Sequence, residues 1–221
     1  MSITCETTVG RVAAEHPLAT RVFARHGIDF CCGGGRPLKE ACDAKGLDPE
    51  RVLHEIRREV GGPQAEKSWD DAPLGDLIDH IVCRYHRSLD EELPRLEGMA
   101  RKVLDVHGDR DARLAELLAV FLDLKTELDE HMAKEEQILF PMIRGGHGAM
   151  AGAPISVMEH EHDSAGAGLR RLRELTDDYV PPVDACTTWR ALWAGLATLE
   201  EEMHRHIHLE NEILFPRALA G

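Results

Sequence analysis

HMAKEEQILFP, residues 131–141, returns 75 positions later as HIHLENEILFP, residues 206–216. Each copy places a histidine, then a glutamate four residues on, ahead of the same ILFP ending. Residues four apart share one helical face. A buried His–Glu hydrogen-bonded pair is the plain reading of either copy alone. The stripes that surround them argue for more.

Stepping by three and four through the first copy gives Leu114, Leu117, Phe121, Leu124, Leu128, His131, Glu135, Ile138 and Met142. The second gives Leu192, Leu196, Leu199, Met203, His206, Glu210 and Ile213. Both are core-facing stripes interrupted at the same depth. Two further segments carry one seam histidine each. Val82, His86, Leu89, Leu93 and Leu96 form one stripe, and Met158, His162, Ala165, Leu169 and Leu172 the other. His86 to His131 spans 45 residues and His162 to His206 spans 44, so two hairpins with near-equal arms bring the interruptions level.

The four segments run roughly from Leu74 to Val106, Asp111 to Ile143, Ile155 to Tyr179 and Ala185 to Ala220. Short loops between long helices predict an up-down-up-down four-helix bundle over 74–221. Ahead of it, a small helical domain is expected over 1–62, with helices near Thr8–His26, Leu38–Lys45 and Pro49–Val60. A linker over 63–73 joins the two. No segment alternates with period two, so the fold class is all-α. Pro94 and Pro141 are expected to bend or end their helices.

Composition narrows the class. The chain has 221 residues, 43% of them hydrophobic, and a net charge of −14 with no basic block, which argues against nucleic-acid binding. It has no apolar run of membrane-spanning length and no secretory start, and its six cysteines are irregularly spaced, so a reducing cytoplasm is the expected location. Thirteen histidines point to metal.

Four imidazoles and two carboxylates converging in an apolar core would each carry a desolvation cost, several kcal/mol for an unpaired carboxylate by order of magnitude. Bound cations offset it. Two glutamates can each bridge two ions while each ion takes two histidines, as in the carboxylate-bridged sites of four-helix bundles. The donor set suits iron and manganese and also admits zinc. Iron is the choice here: two ions, with an oxo or hydroxo bridge and an exchangeable ligand filling the remaining positions.

Several residues read as bystanders. His204 and His208 are four apart but fall off the stripe, and Glu136 points elsewhere on its helix than Glu135. Glu159, Glu161 and Asp163 read as surface residues, with a proton path or iron entry route as the alternative, and Tyr85 beside His86 stays open. His16, His26, His54, His80, His107 and His147 read as surface or local hydrogen-bonding residues.

These residues resemble a hemerythrin-type bundle: His86, His131-x-x-x-Glu135, His162 and His206-x-x-x-Glu210, with EEQILFPMI, PISVMEHEHD, ACTTW and LENEILFPRAL. DFCCGGGRPL at 29–38 resembles the short cysteine-bearing domain of the iron–sulfur cluster repair di-iron proteins. The resemblance implies iron ligation by those six residues, with Glu135 and Glu210 as bridges. It also implies repair of iron–sulfur clusters damaged by oxidative or nitrosative stress, with damaged iron–sulfur proteins as clients and iron supply as the means. Alternatives are nitric oxide reduction to N2O with an unknown electron donor, and gas or redox sensing without turnover. Oxygen-carrying hemerythrins differ from this pattern. They have a further histidine four residues along the third helix, where this chain has Met158 or Gly166, and an aspartate five after the last histidine, where it has Glu210 at four.

Cys31 and Cys32 are adjacent, which fits neither a C-x-x-C redox pair nor an easy disulfide. The glycines after them leave the amides free to stabilise a thiolate. Exchange of electrons or ligands with the metal centre, or passage of iron to a client, is the expected role. A packed glycine turn and dimerisation through the thiols are the alternatives.

Overall fold

The computed structural model describes residues 3–16, 19–30, 34–60 and 69–221. Cys31, Cys32 and most of the expected linker lie outside the described residues. Among those described there is no strand, only an isolated bridge between Thr8 and Pro37, and the fold is all-α as expected.

Four short helices come first: α1 (Val9–Glu15), α2 (Ala19–Arg25), α3 (Leu38–Asp43) and α4 (Pro49–Val60). The single helix expected over 8–26 is divided. His16 leaves helical geometry at φ −140°, ψ 78°, as suits a residue that precedes a proline. Asp48 starts α4, its Oδ1 accepting the Glu50 amide at 3.0 Å, with Pro49 at the first helical position.

Four long helices come next: α5 (74–107), α6 (113–144), α7 (Gly152–Leu175) and α8 (187–220). Three of them contain a widened π turn, at Val82–His86 in α5, Glu135–Leu139 in α6 and Leu209–Leu214 in α8. In each, a backbone amide reaches back five residues: Arg87 to Val82, Phe140 to Glu135 and Phe215 to Glu210. Pro141 and Pro216 each follow one of these turns with a single phenylalanine between. A proline lacks the amide of the ordinary ladder and crowds the preceding turn, so a widened turn lets the helix continue through it. Pro94 also stays within its helix, on the exposed face, where the carbonyl it leaves unbonded can meet water.

The π turn in α6 also corrects the predicted stripe. One extra residue rotates the rest of the helix, so Leu139 and Ile143 are buried in place of Ile138 and Met142, and Ile138 is 54% exposed. The expected run of α7 to Tyr179 is too long as well. The helix ends at Leu175, and Asp177, Asp178 and Tyr179 take positive φ of 51°, 58° and 61°. Three successive left-handed non-glycine residues are costly. Arg113 pairs with Asp177 at 2.8 Å and Arg173 with Asp178 at 3.1 Å, holding the turn.

The core falls into two apolar clusters. One joins the first four helices to the bundle half built from Leu89–Val103, Leu114–Met132, Ala165–Leu175 and Ala185–Ile207. The other gathers Leu77, Ile81, Leu139, Phe140, Ile155, Met158, Leu214 and Phe215. A buried polar layer lies between them. Short helix α1 packs on the π turn of α8, where the Glu212 carboxylate sits against Gly10 and Gly34. A Cβ at Gly34 would lie 2.7 Å from the Phe30 carbonyl and 2.9 Å from Glu212 Oε1, so only glycine fits there without a shift. Among the described residues, no helix is long and apolar enough to cross a membrane.

Candidate metal centre

The polar layer consists of His86, His131, Glu135, His162, His206 and Glu210, none more than 3% exposed. The structure brings them into two overlapping groups. His86 and His206 form one with both glutamates, and His131 and His162 form the other with the same two. Within each group the candidate ligand atoms all lie within 4.8 Å of one another. The imidazoles meet in pairs through Nε2, His86 with His206 at 3.2 Å and His131 with His162 at 3.1 Å. Glu135 Oε2 is 3.4 Å from His86 Nε2 and 3.5 Å from His131 Nε2. Glu210 places Oε1 2.9 Å from His206 and Oε2 3.1 Å from His162. Each carboxylate therefore faces one histidine of each pair.

Local sequence explains the placement. The glutamates stand at the start of the π turn in α6 and inside that of α8, and His86 closes the turn in α5. Such turns re-aim side chains at functional sites. The repeated ILFP serves the same layer. Phe140 stacks on His86 with ring centroids 5.8 Å apart, and Phe215 stacks on His162 at 6.0 Å with planes 3° apart.

Electrostatics and hydrogen bonding both suit cations. Burial lowers His162's tendency to carry a proton, but the hydrogen bond and charge of Glu210 outweigh it and push it up to about 9. Burial opposes the charged form of His86 too, and Glu135 and Glu210 raise it overall. Burial would raise the Glu210 carboxyl, yet His206 and His162 hold it well below the usual range. Both oxygens of Glu135 and Glu210 Oε2 are buried without a well-formed hydrogen bond, despite the nearby nitrogens. Orphaned carboxylate oxygens facing converging imidazoles in a dry layer are what a cation would satisfy. The donor set fits metal.

The residues that orient the imidazoles were not foreseen. Glu136 Oε1 lies 3.0 Å from His86 Nδ1, Glu161 Oε2 2.9 Å from His131 Nδ1, and Asn211 Oδ1 2.8 Å from His162 Nδ1. Glu136 and Glu161, read from the sequence as pointing elsewhere and as surface, instead reach across to a neighbouring helix. A signal existed: Glu136 and Asn211 each come directly after a glutamate of the layer, and Glu161 precedes His162. An acceptor on Nδ1 keeps the proton there and leaves Nε2 free for a metal.

The bystander histidines divide. His208 is only 4% exposed, and it and His204 pack edge-on against Phe30 at 5.5 and 5.9 Å, seating the first four helices on α8. His107, expected at the surface or in a local hydrogen bond, is buried with Nε2 3.3 Å from Cys186 Sγ. His26 pairs locally with Glu55 at 2.9 Å.

Comparison with known proteins agrees with this geometry. Residues 77–218 match the hemerythrin HHE cation binding domain. Residues 5–59 match a domain of unknown function, DUF542. A protein of Musicola paradisiaca named iron-sulfur cluster repair protein YtfE is 47% identical over 98% of this chain and 97% of its own. The chain belongs to the YtfE iron-sulfur cluster repair family. Other members with the same name, from Pectobacterium atrosepticum and Escherichia coli O17:K52:H18, are 44% and 45% identical, covering 98% and 96% of both chains. Membership in this family, a cation-binding bundle and a His/Glu cluster together suit iron.

Proposed function

We propose that the chain holds two non-haem iron ions and uses them to restore damaged iron–sulfur clusters in client proteins. His86 and His206 would hold one ion, His131 and His162 the other, and Glu135 and Glu210 would bridge both. The observation that carries this reading is the sharing of the same two buried carboxylates by both histidine pairs. Bound iron would supply redox chemistry and exchangeable coordination positions, with an oxo or hydroxo bridge between the ions. The protein's own part is to present four oriented imidazoles, exclude water and keep the ions adjacent. The names of the 44–47% identical relatives support repair as the role.

Within the same proposal, Cys31 and Cys32 exchange electrons or ligands with the centre or hand iron to the client. The test is anaerobic loading with ferrous iron followed by incubation with a protein whose cluster has been damaged. Recovery of that protein's activity with loss of iron from this one is the expected result. Release of N2O from added nitric oxide without cluster recovery would instead assign the reductase reading. Replacing both cysteines by serine should abolish recovery, and full recovery by that variant would remove them from the mechanism.

A further inference from the structure

The ILFP repeat relates α5 and α6 to α7 and α8. Under it His86 corresponds to His162, His131 to His206, Glu135 to Glu210 and Phe140 to Phe215. The outer acceptors should obey the same relation, and three of them do. Glu136 serves His86 and Asn211 serves His162, each standing directly after a layer glutamate. Glu161 serves His131 and stands directly before His162. The corresponding residue for His206 stands directly before His86. It is Tyr85.

Tyr85 does not serve His206 as an acceptor. Its ring lies flat against the imidazole, with centroids 5.3 Å apart and planes 9° apart. His206 Nδ1 is buried and meets no hydrogen-bond partner among the described residues. His206 borders a cavity of about 50 Å³ between α5 and α8, lined by the apolar Leu89, Leu199 and Met203 and by the polar Ser88, Thr198 and Glu202. The pair His131 and His162 thus has two outer acceptors, and the pair His86 and His206 has one.

We infer that the two cation positions are unequal in affinity, the one at His86 and His206 being the weaker, and that Tyr85 sets the difference. The inference rests on the two-cation reading above. An acceptor on the far nitrogen fixes the ring and raises its basicity toward a metal, and losing one costs about 10- to 100-fold in affinity. Tyr85 is a positioning residue here: it holds His206 by its face and leaves the ring less basic. A chain given one equivalent of metal would therefore carry it at His131 and His162, with the second position filled last. Passage is a separate matter. A wider opening of about 190 Å³, lined by Glu127, Glu130 and Glu161, lies beside His131, and rates of entry there need not track affinities.

The test uses the iron-free full chain and Zn(II) as a diamagnetic probe, observing histidine ring nitrogens by NMR. At one equivalent the His131 and His162 signals should shift, and those of His86 and His206 should respond only to the second. Tyr85→Phe, which keeps the stack, should leave this order unchanged. Tyr85→Gln, which offers His206 the kind of amide that Asn211 offers His162, should tighten the weaker position about 10-fold and blur the order. A gain in affinity cannot come from a damaged fold. Simultaneous filling in the native chain, or an unchanged order in a Tyr85→Gln protein of native helix content, would overturn the inference. Saturation at one ion would be different: it would overturn the two-cation reading and this inference with it.

Discussion

The inner and outer faces of α8 carry the same residue types at the same spacing and do opposite things with them. Inward, His206 and Glu210 meet other ionisable groups, and the company favours charge: Glu210 is held well below the usual carboxylate range and its partner His162 is pushed up to about 9. Outward, His208 and Glu212 meet Phe30, Gly10 and Gly34, and burial outweighs the rest. His208 is pushed down to about 4, and Glu212 is raised. The ring nitrogens of His208 face the backbone of Ala13 and Phe30 without a well-formed hydrogen bond. A histidine and a glutamate four apart make a metal site only where other ligands converge on them. The same turn of helix otherwise makes a seat for the first four helices in which burial disfavours charge.

The largest expected effect breaks the inner face. Glu210→Gln should reduce bound metal from a pair to at most one ion per chain, while His208→Phe and Glu212→Gln leave the pair intact by metal analysis. Equal loss from either face would erase the distinction.

Acid should act on the outer face first. The folded-state value of His208, about 4, lies below its ordinary 6.5, so the unfolded chain takes up a proton that the folded chain refuses. Stability is full above pH 6.5 and declines as pH falls toward 4, by up to about 3 kcal/mol. His208→Phe should flatten that decline in urea unfolding measured between pH 6.5 and 4. The inner face has the reverse sign. In the metal-free protein, the raised His162 contributes stability that is fully present below pH 6.5 and is lost as pH rises to about 9. Metal must displace that proton, so affinity should climb over the same range in competition with a chelator.

The seat itself offers a smaller perturbation. Gly34→Ala forces a shift against the Phe30 carbonyl and should destabilise the chain by about 1–3 kcal/mol while metal content is unchanged. Smaller still, Glu136→Gln keeps an acceptor near His86 but removes its charge, and should weaken metal binding by no more than about 10-fold.

The six residues of the layer stood out in the sequence because the ILFP repeat aligned them and the apolar stripes ran unbroken on either side. The bundle was legible from the same stripes. What lay hidden depended on distances that periodicity does not encode. Glu136 and Glu161 point away from their own helix's seam, but a glutamate is long enough to curl around and reach the next helix. The π turn in α6 adds a residue that no pattern of threes and fours contains, so Ile138 exchanged places with Leu139. The left-handed run at Asp177–Tyr179 is held by Arg113 on another helix and by Arg173 a turn back, so the local residues alone still read as helix. His208 looked idle because its partner, Phe30, belongs to a different part of the chain.

Mössbauer spectroscopy of anaerobically iron-loaded protein, with metal counting on the same sample and on Glu210→Gln, addresses the centre directly. Two magnetically coupled irons per native chain, with the coupling gone in the variant, is the predicted outcome. A single iron in the native chain, or a coupled pair that survives without Glu210, would contradict it.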